Sequence, residues 1–243
     1  MSFWRVSWPL GLALAVFLTA LEVFYFSHYR LFNLIEREDW PALAQYLENR
    51  VFQQGHYRPY LVRLLANTYL VLSDSAAVIS LENKTVTVKP ALVEANALIF
   101  GTARILGKDI PGAVDFFFGR LAAGAYRREQ AQWLRWYYGF SLLLDRQFAL
   151  AADQFMLLVK NADDALVAGL SAFFLQDVLR RVLPERMPEF NAAAQEGQNR
   201  VRKFLPARDN WNKEAAKIET EIYAAVQEKN LGNAAQWIYG GSA

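Results

Sequence analysis

The sequence predicts an all-α protein, a single N-terminal transmembrane helix followed by a row of antiparallel helix hairpins. Three observations predict it. The stretch from Ile99 to Phe117 recurs from Tyr137 to Phe155 without a gap. Gly101 falls on Gly139, Ile110 on Phe148, Ala113 on Ala151, Asp115 on Asp153 and Phe117 on Phe155, an offset of 38 residues. Self-similarity at such a period marks stacked-helix repeats. Next, no charged residue occurs from Val6 to Leu21. Last, the segments with apolar residues at helical spacing are separated only by short polar breaks, and short links make neighbouring helices antiparallel.

Residues 1–5 are expected as a short tail and residues 6–27 as the membrane span. A helix of about 21 residues rises about 31 Å, enough for a hydrocarbon core of about 30 Å. Phe3, Trp4 and Trp8 flank it on one side and Phe24, Tyr25, Phe26 and Tyr29 on the other, as interfacial aromatic belts do. A cleaved signal peptide would have a shorter apolar core and a small-x-small site. Leu18-Thr19-Ala20 matches that poorly. Glu22 is the one ionisable residue in the run. It reads as an intramembrane acid making a helix contact, or as a carboxylate near enough to the exit to reach the interface. A very short tail carrying Arg5 favours a cytoplasmic N-terminus, a single pass through the inner (cytoplasmic) membrane and a periplasmic body.

Residues 28–56 are expected as a membrane-proximal helix pair. Asp39 suits an N-cap and Pro41 the first helical turn, where its missing N–H is not needed. Residues 57–204 are expected as the hairpin repeats, opening with Leu61, Leu64, Leu65, Thr68 and Leu72 on one helical face. Near 78–88, Val78-Ile79-Ser80-Leu81 and Thr85-Val86-Thr87-Val88 are β-branched and partly alternating around Glu82-Asn83-Lys84. That pattern predicts a short β-hairpin excursion ended by Pro90. Breaks at Gly107–Asp109, Asp145-Arg146, Asn161–Asp164, Pro184 and Leu205-Pro206 separate the helices that follow. Residues 205–243 are expected as a capping helix and a tail, in which Trp237, Ile238 and Tyr239 are apolar enough to dock back or to bind something.

Composition narrows the function. Of 243 residues, 54% are hydrophobic, above the usual 45–50%, and part of the excess lies in the N-terminal run. A net charge of +2 gives no electrostatic case for nucleic acid. Absence of cysteine excludes disulfides, zinc–thiolate sites, iron–sulfur clusters and thiol nucleophiles. The two histidines, His28 and His56, share no metal-ligand spacing, and Gly107-Lys108 lacks the rest of a phosphate loop. No catalytic, cofactor-binding or metal residue is therefore expected, and a non-enzymatic role is. Arg127-Arg128, Arg180-Arg181 and Arg200, Arg202 and Lys203 read as solvated helix faces or as a partner patch.

The matched stretches resemble tetratricopeptide repeats. In that family a small residue on the first helix permits close crossing with the second, and a small-then-aromatic pair locks the hairpin. Gly101, Ala113, Phe117, Gly139, Ala151 and Phe155 stand in those repeat-packing places. The likeness covers residues 99–160 well and 38–50 less closely. Two features depart from it. The spacing is 38 residues rather than 34, and Arg104 and Arg135 occupy places usually held by large core side chains.

Such solenoids bind partners along the groove lined by first helices. Trp133, Trp136, Phe140 and Leu143 form one stripe on the helix expected over 127–145; it either packs on a neighbouring repeat or faces a partner. Its counterpart one repeat earlier is Ala95, Leu98, Thr102 and Ile105. The resemblance implies a membrane-anchored scaffold for protein–protein interaction in a larger cell-envelope assembly, such as a periplasmic flagellar-motor collar, a secretion system or an envelope-synthesis complex. Its partners would be other proteins of that complex and the lipid bilayer, with homo-oligomerisation compatible. The alternative is a membrane-bound binding protein or enzyme accessory holding a hydrophobic ligand or lipid in a helical cavity.

Overall fold

The computed structural model describes residues 3–124, 126–219 and 226–240, and every regular element among them is helical. The chain divides into two compact units, one ending at His56 and the other beginning at Tyr57.

In the first unit, α1 (Phe3–Glu36) turns back into α2 (Trp40–Glu48), which runs into a π-helical turn over Asn49–Gln53. Leu31, Leu43, Leu47 and Val51 are its buried apolar residues, with Ala44 beside them. The Arg30 and Arg50 guanidiniums lie 5.4 and 5.7 Å from the centre of the Tyr46 ring. Asp39 accepts from the Ala42 N–H at 3.2 Å and caps α2, with Pro41 in the first turn.

The expected transmembrane helix is overturned here. No helix among the described residues is long and apolar enough to cross a membrane. The exposed Glu22 interrupts the uncharged run of the sequence. Helix α1 is already under way at Phe3 and continues unbroken to Glu36, so neither a 1–5 tail nor a boundary at residue 27 interrupts it. Met1 and Ser2, and the side chains of Phe3, Trp4, Arg5, Phe24, Phe26 and His28, lie outside the described residues.

The second unit opens with the hairpin α3 (Pro59–Val71) and α4 (Ser75–Val88). Next come α5 (Ala91–Ala95), α6 (Ala97–Leu106) and α7 (Ile110–Ala123), then α8 (Arg128–Leu144) and α9 (Phe148–Asn161). Helix α10 (Ala165–Phe174) passes through a π-helical turn, Leu175–Leu179, into the short α11 (Arg180–Val182). The series ends with α12 (Met187–Phe204), α13 (Arg208–Glu219) and α14 (Glu228–Tyr239). Helix α8 packs against α6, α7, α9 and α10, and α10 in turn against α9, α12 and α14.

Helix α4 corrects the β-hairpin expected near 78–88. Asp74 accepts from the Ala77 N–H at 2.9 Å and starts the helix. Thr85 and Thr87 turn their hydroxyls back to the Leu81 and Lys84 carbonyls at 2.6 and 2.8 Å. Burial of Val78, Leu81, Glu82 and Thr85 on one face supplies what β-branched propensity lacks. Tertiary packing overrides local preference.

Four hairpins close with the same turn. Glu38, Ser73, Lys108 and Arg146 all lie in the left-handed region, with φ from 52° to 62°. Each donates its N–H three residues back, to Ile35, Leu70, Ile105 or Leu143. The residue that follows (Asp39, Asp74, Asp109 or Gln147) donates five residues back, to Leu34, Tyr69, Arg104 or Leu142, at 2.8–3.1 Å. This pair of bonds is the Schellman closure. Asp109, like Asp39 and Asp74, also caps the next helix, accepting from Gly112 N–H at 3.1 Å.

Glycine lets paired helices approach. A Cβ on Gly101 would stand 2.1 Å from the Phe117 ring, and one on Gly139 3.2 Å from the Phe155 ring. Ala113, Phe117, Ala151 and Phe155 are fully buried. Both arginines that depart from the repeat pattern are partnered. Arg104 Nη1 lies 2.6 Å from Glu82 Oε2, with its guanidinium 4.5 Å from the Phe116 ring centre. Arg135 donates to Gln154 Oε1 at 2.9 Å. At the other end Ile238 is buried, Trp237 meets Phe173, and Tyr239 Oη donates to the Leu205 carbonyl at 2.6 Å. The apolar end of the chain docks back.

Candidate functional site

The aromatic stripe of α8 turns inward. Trp133 and Trp136 are buried, and Phe140 and Leu143 are half-buried. Trp136 stacks on Phe140 at 5.3 Å and meets Phe174 edge-on at 5.6 Å, with Phe155 at 6.0 Å. Helix α10 supplies Phe174, so the interior of the stripe is covered from within the chain. Thr102 of the earlier stripe is fully buried as well. Trp133, Ala95 and Leu98 line one and the same cleft.

That cleft begins at the N-terminal end of α8. Gln130 and Trp133, three residues apart, share a face of the helix. Gln130 donates to the Glu94 carbonyl at 2.9 Å and ties α8 to α5. The cavity there, about 370 Å³, is lined by Arg63, Ala95, Leu98, Arg127, Gln130 and Trp133, among others. So α3, the α5–α6 region and α8 each contribute to one wall.

A second cavity of about 550 Å³ shares Glu129 and Ile218 with the first and is lined by Gln132, Asp164, Glu214 and Lys217. Its wall is a closed hydrogen-bond network. Gln132 Oε1 accepts from the backbone N–H of Asp163 at 3.1 Å and of Asp164 at 3.0 Å, which shapes the α9–α10 loop. Asp164 caps α10, accepting from Leu166 and Val167 N–H at 2.8 and 3.3 Å, and takes the Trp133 indole N–H at 3.0 Å. Burial raises the Asp164 carboxyl above the ordinary carboxylate value, while those N–H donors pull the other way. At the rim, Arg128 and Asp163 form an ion pair at 2.5 Å.

Sequence reasoning read Asn161–Asp164 only as a break. Asp164 ahead of an apolar run is an N-cap signal, and that much was visible. Gln130 and Gln132 carry no local signal, because their partners lie 36 and about 31 residues away. Across the two cavities the basic side chains (Arg63, Arg127, Arg128, Lys217) are matched by Glu129, Asp163, Asp164 and Glu214. Such a lining offers donors and acceptors without a net field. Among the described residues, no group of three His, Asp or Glu side chains gathers as a metal site.

Fold and clefts together define an all-helical protein of antiparallel hairpins with an open, polar, charge-balanced groove across successive helices. The family model described as "uncharacterised Treponema protein" matches residues 77–240, and the chain belongs to that family. A Treponema pallidum (strain Nichols) protein is 29% identical over 192 residues, which cover 78% of this chain and 60% of the relative. The chain thus spans 60% of the length of that curated relative. No solved structure matches.

Proposed function

We propose that the chain is a tetratricopeptide-like scaffold, non-enzymatic, which holds a polypeptide partner within a larger cell-envelope assembly. The observation that carries this reading is the groove to which α3, the α5–α6 region and α8 each add a wall, with Arg63, Leu98 and Trp133 in succession. Two further features support it. The same Schellman turn recurs at Glu38, Ser73, Lys108 and Arg146, so these hairpins share one closure. The groove's mixed donors and acceptors suit a peptide backbone, which presents both. The alternative, a hydrophobic ligand held in a helical cavity, is less well served by linings rich in arginine, carboxylate and amide groups.

The test is site-specific photo-cross-linking of the full-length protein in cells. A cross-linking side chain at Leu98 or Gln130 is expected to trap a discrete protein partner, and one at Leu150 on the exposed face of α9 is not. Adducts equal at all three positions, or none at Leu98 and Gln130, would sink the scaffold reading.

A further inference from the structure

We propose that the cleft between the π-helical turn after α10 and helix α14 is a saccharide site, where a neutral sugar ring lies on the face of Trp237. This cleft is separate from the groove at α8. Its volume is about 470 Å³, within the range of small-molecule sites. The floor is aromatic: Trp237 is half-buried and its ring lies 6.3 Å from Phe173 at an interplanar angle of 52°.

The platform is fixed from below. Ile238, next to Trp237, is fully buried. The carbonyls at this helix end are held by α12: Gln198 donates to the Trp237 carbonyl at 3.2 Å, and Arg202 Nε to the Ile238 carbonyl at 2.9 Å. A guanidinium at a helix C-terminus also suits the helix dipole.

The rim is polar on both sides. Asn233, Gln236 and Trp237 follow the i, i+3, i+4 spacing that places side chains on one helix face. Opposite them stand Gln176, Asp177 and Arg180. The π turn accommodates one residue more than an α turn, which brings the adjacent Gln176 and Asp177 to the same opening. Such turns are rare and frequently mark functional sites. Asp177 is steadied by Arg181 at 2.6 Å. The side chains of Gln176, Arg180, Asn233 and Gln236 have no hydrogen-bond or ion-pair partner among the described residues.

Ligand chemistry follows from this inventory. A carboxamide both donates and accepts, as does a sugar hydroxyl, and three carboxamides line the cleft together with the indole. Asp177 is already paired with Arg181, which leaves the Arg180 guanidinium free to donate to a ligand hydroxyl. A pyranose offers an apolar C–H face to the ring and a belt of hydroxyls to the rim. An extended peptide would call for apolar pockets at alternate-residue spacing, and here a single aromatic platform is polar all round.

The full-length protein is titrated with N,N′-diacetylchitobiose, maltotriose and, as an extended-peptide probe, decaproline, followed by saturation-transfer NMR and calorimetry. At least one sugar is expected to bind saturably while decaproline does not. Gln176→Ala and Asn233→Ala, neither at a buried position, are each expected to weaken that binding about tenfold, the scale of a lost hydrogen bond, with thermal unfolding unchanged. The proposal is overturned if neither sugar binds saturably, if binding is unaltered in both variants, or if decaproline binds and both variants abolish it.

Discussion

Gly101 and Gly139 occupy matching places in the repeated stretch, yet alanine is expected to tell them apart. On Gly101 the added carbon would lie 2.1 Å from Phe117 Cζ and 2.4 Å from Cε1. On Gly139 the nearest atoms, Gln154 Cβ and Phe155 Cε1, are both 3.2 Å away. Phe117 cannot swing clear, because it is fully buried, stacked on Tyr137 at 5.7 Å and braced edge-on by Phe116 at 5.6 Å. Removing a helical glycine gains about 1 kcal/mol of propensity. Forcing an extra methyl group into a packed core costs about 1–3 kcal/mol. At Gly101 the overlap exceeds an ångström, so the upper end of the cost applies and Gly101→Ala is expected to lose about 2 kcal/mol net. At Gly139 the neighbours need to give only a few tenths of an ångström, the two terms nearly cancel, and Gly139→Ala is expected within about 0.5 kcal/mol of the parent. Urea unfolding followed by circular dichroism measures both, and about 2 kcal/mol corresponds to roughly 4–8 °C in Tm for a chain of this size. Equal losses at the two positions, or a Gly101→Ala protein as stable as the parent, would refute the packing argument.

Two further perturbations probe the polar interior. Glu82→Ala leaves the Arg104 guanidinium unpaired where the two side chains are only 7% and 13% exposed; a loss of about 3–5 kcal/mol is expected. Most of it should return in the double variant Glu82→Leu with Arg104→Met, and single and double variants with the same urea midpoint would contradict the ion-pair account. At Asp164 burial holds the folded-state carboxyl above its unfolded value. The unfolded chain therefore releases this proton at a lower pH than the folded one does. Between the two values the folded state binds more protons, so stability falls as pH rises through that window. Asp164→Asn is expected to flatten this part of the stability–pH profile, and a slope identical to the parent's would show that another group sets it.

What the residues disclosed in advance, and what they hid, divides by range. Local chemistry was legible: Gly107–Asp109 announces a turn because the left-handed Lys108 and the capping Asp109 are written in adjacent positions. The same chemistry stood at Ser73-Asp74, immediately before α4, but the β-branched run from Val78 to Val88 masked it, since propensity is scored without the face that Leu81 and Thr85 bury. Long-range decisions were illegible. A helix apolar on two faces does not reveal which side is covered; Phe174, 38 residues beyond Trp136, decides that the stripe of α8 is interior. The N-terminal run was overread in a related way, because its length was reckoned through Glu22, which interrupts it. The glycines make the same point in reverse. Aligned residues predicted equivalent roles for Gly101 and Gly139, whereas the depth of each contact depends on the surroundings of Phe117, against Phe116 and Tyr137, and of Phe155, against Trp136 and Phe174. Equivalence in a repeat is inherited through the turn, where bonds span three and five residues. It is lost in the packing, where each hairpin meets different neighbours.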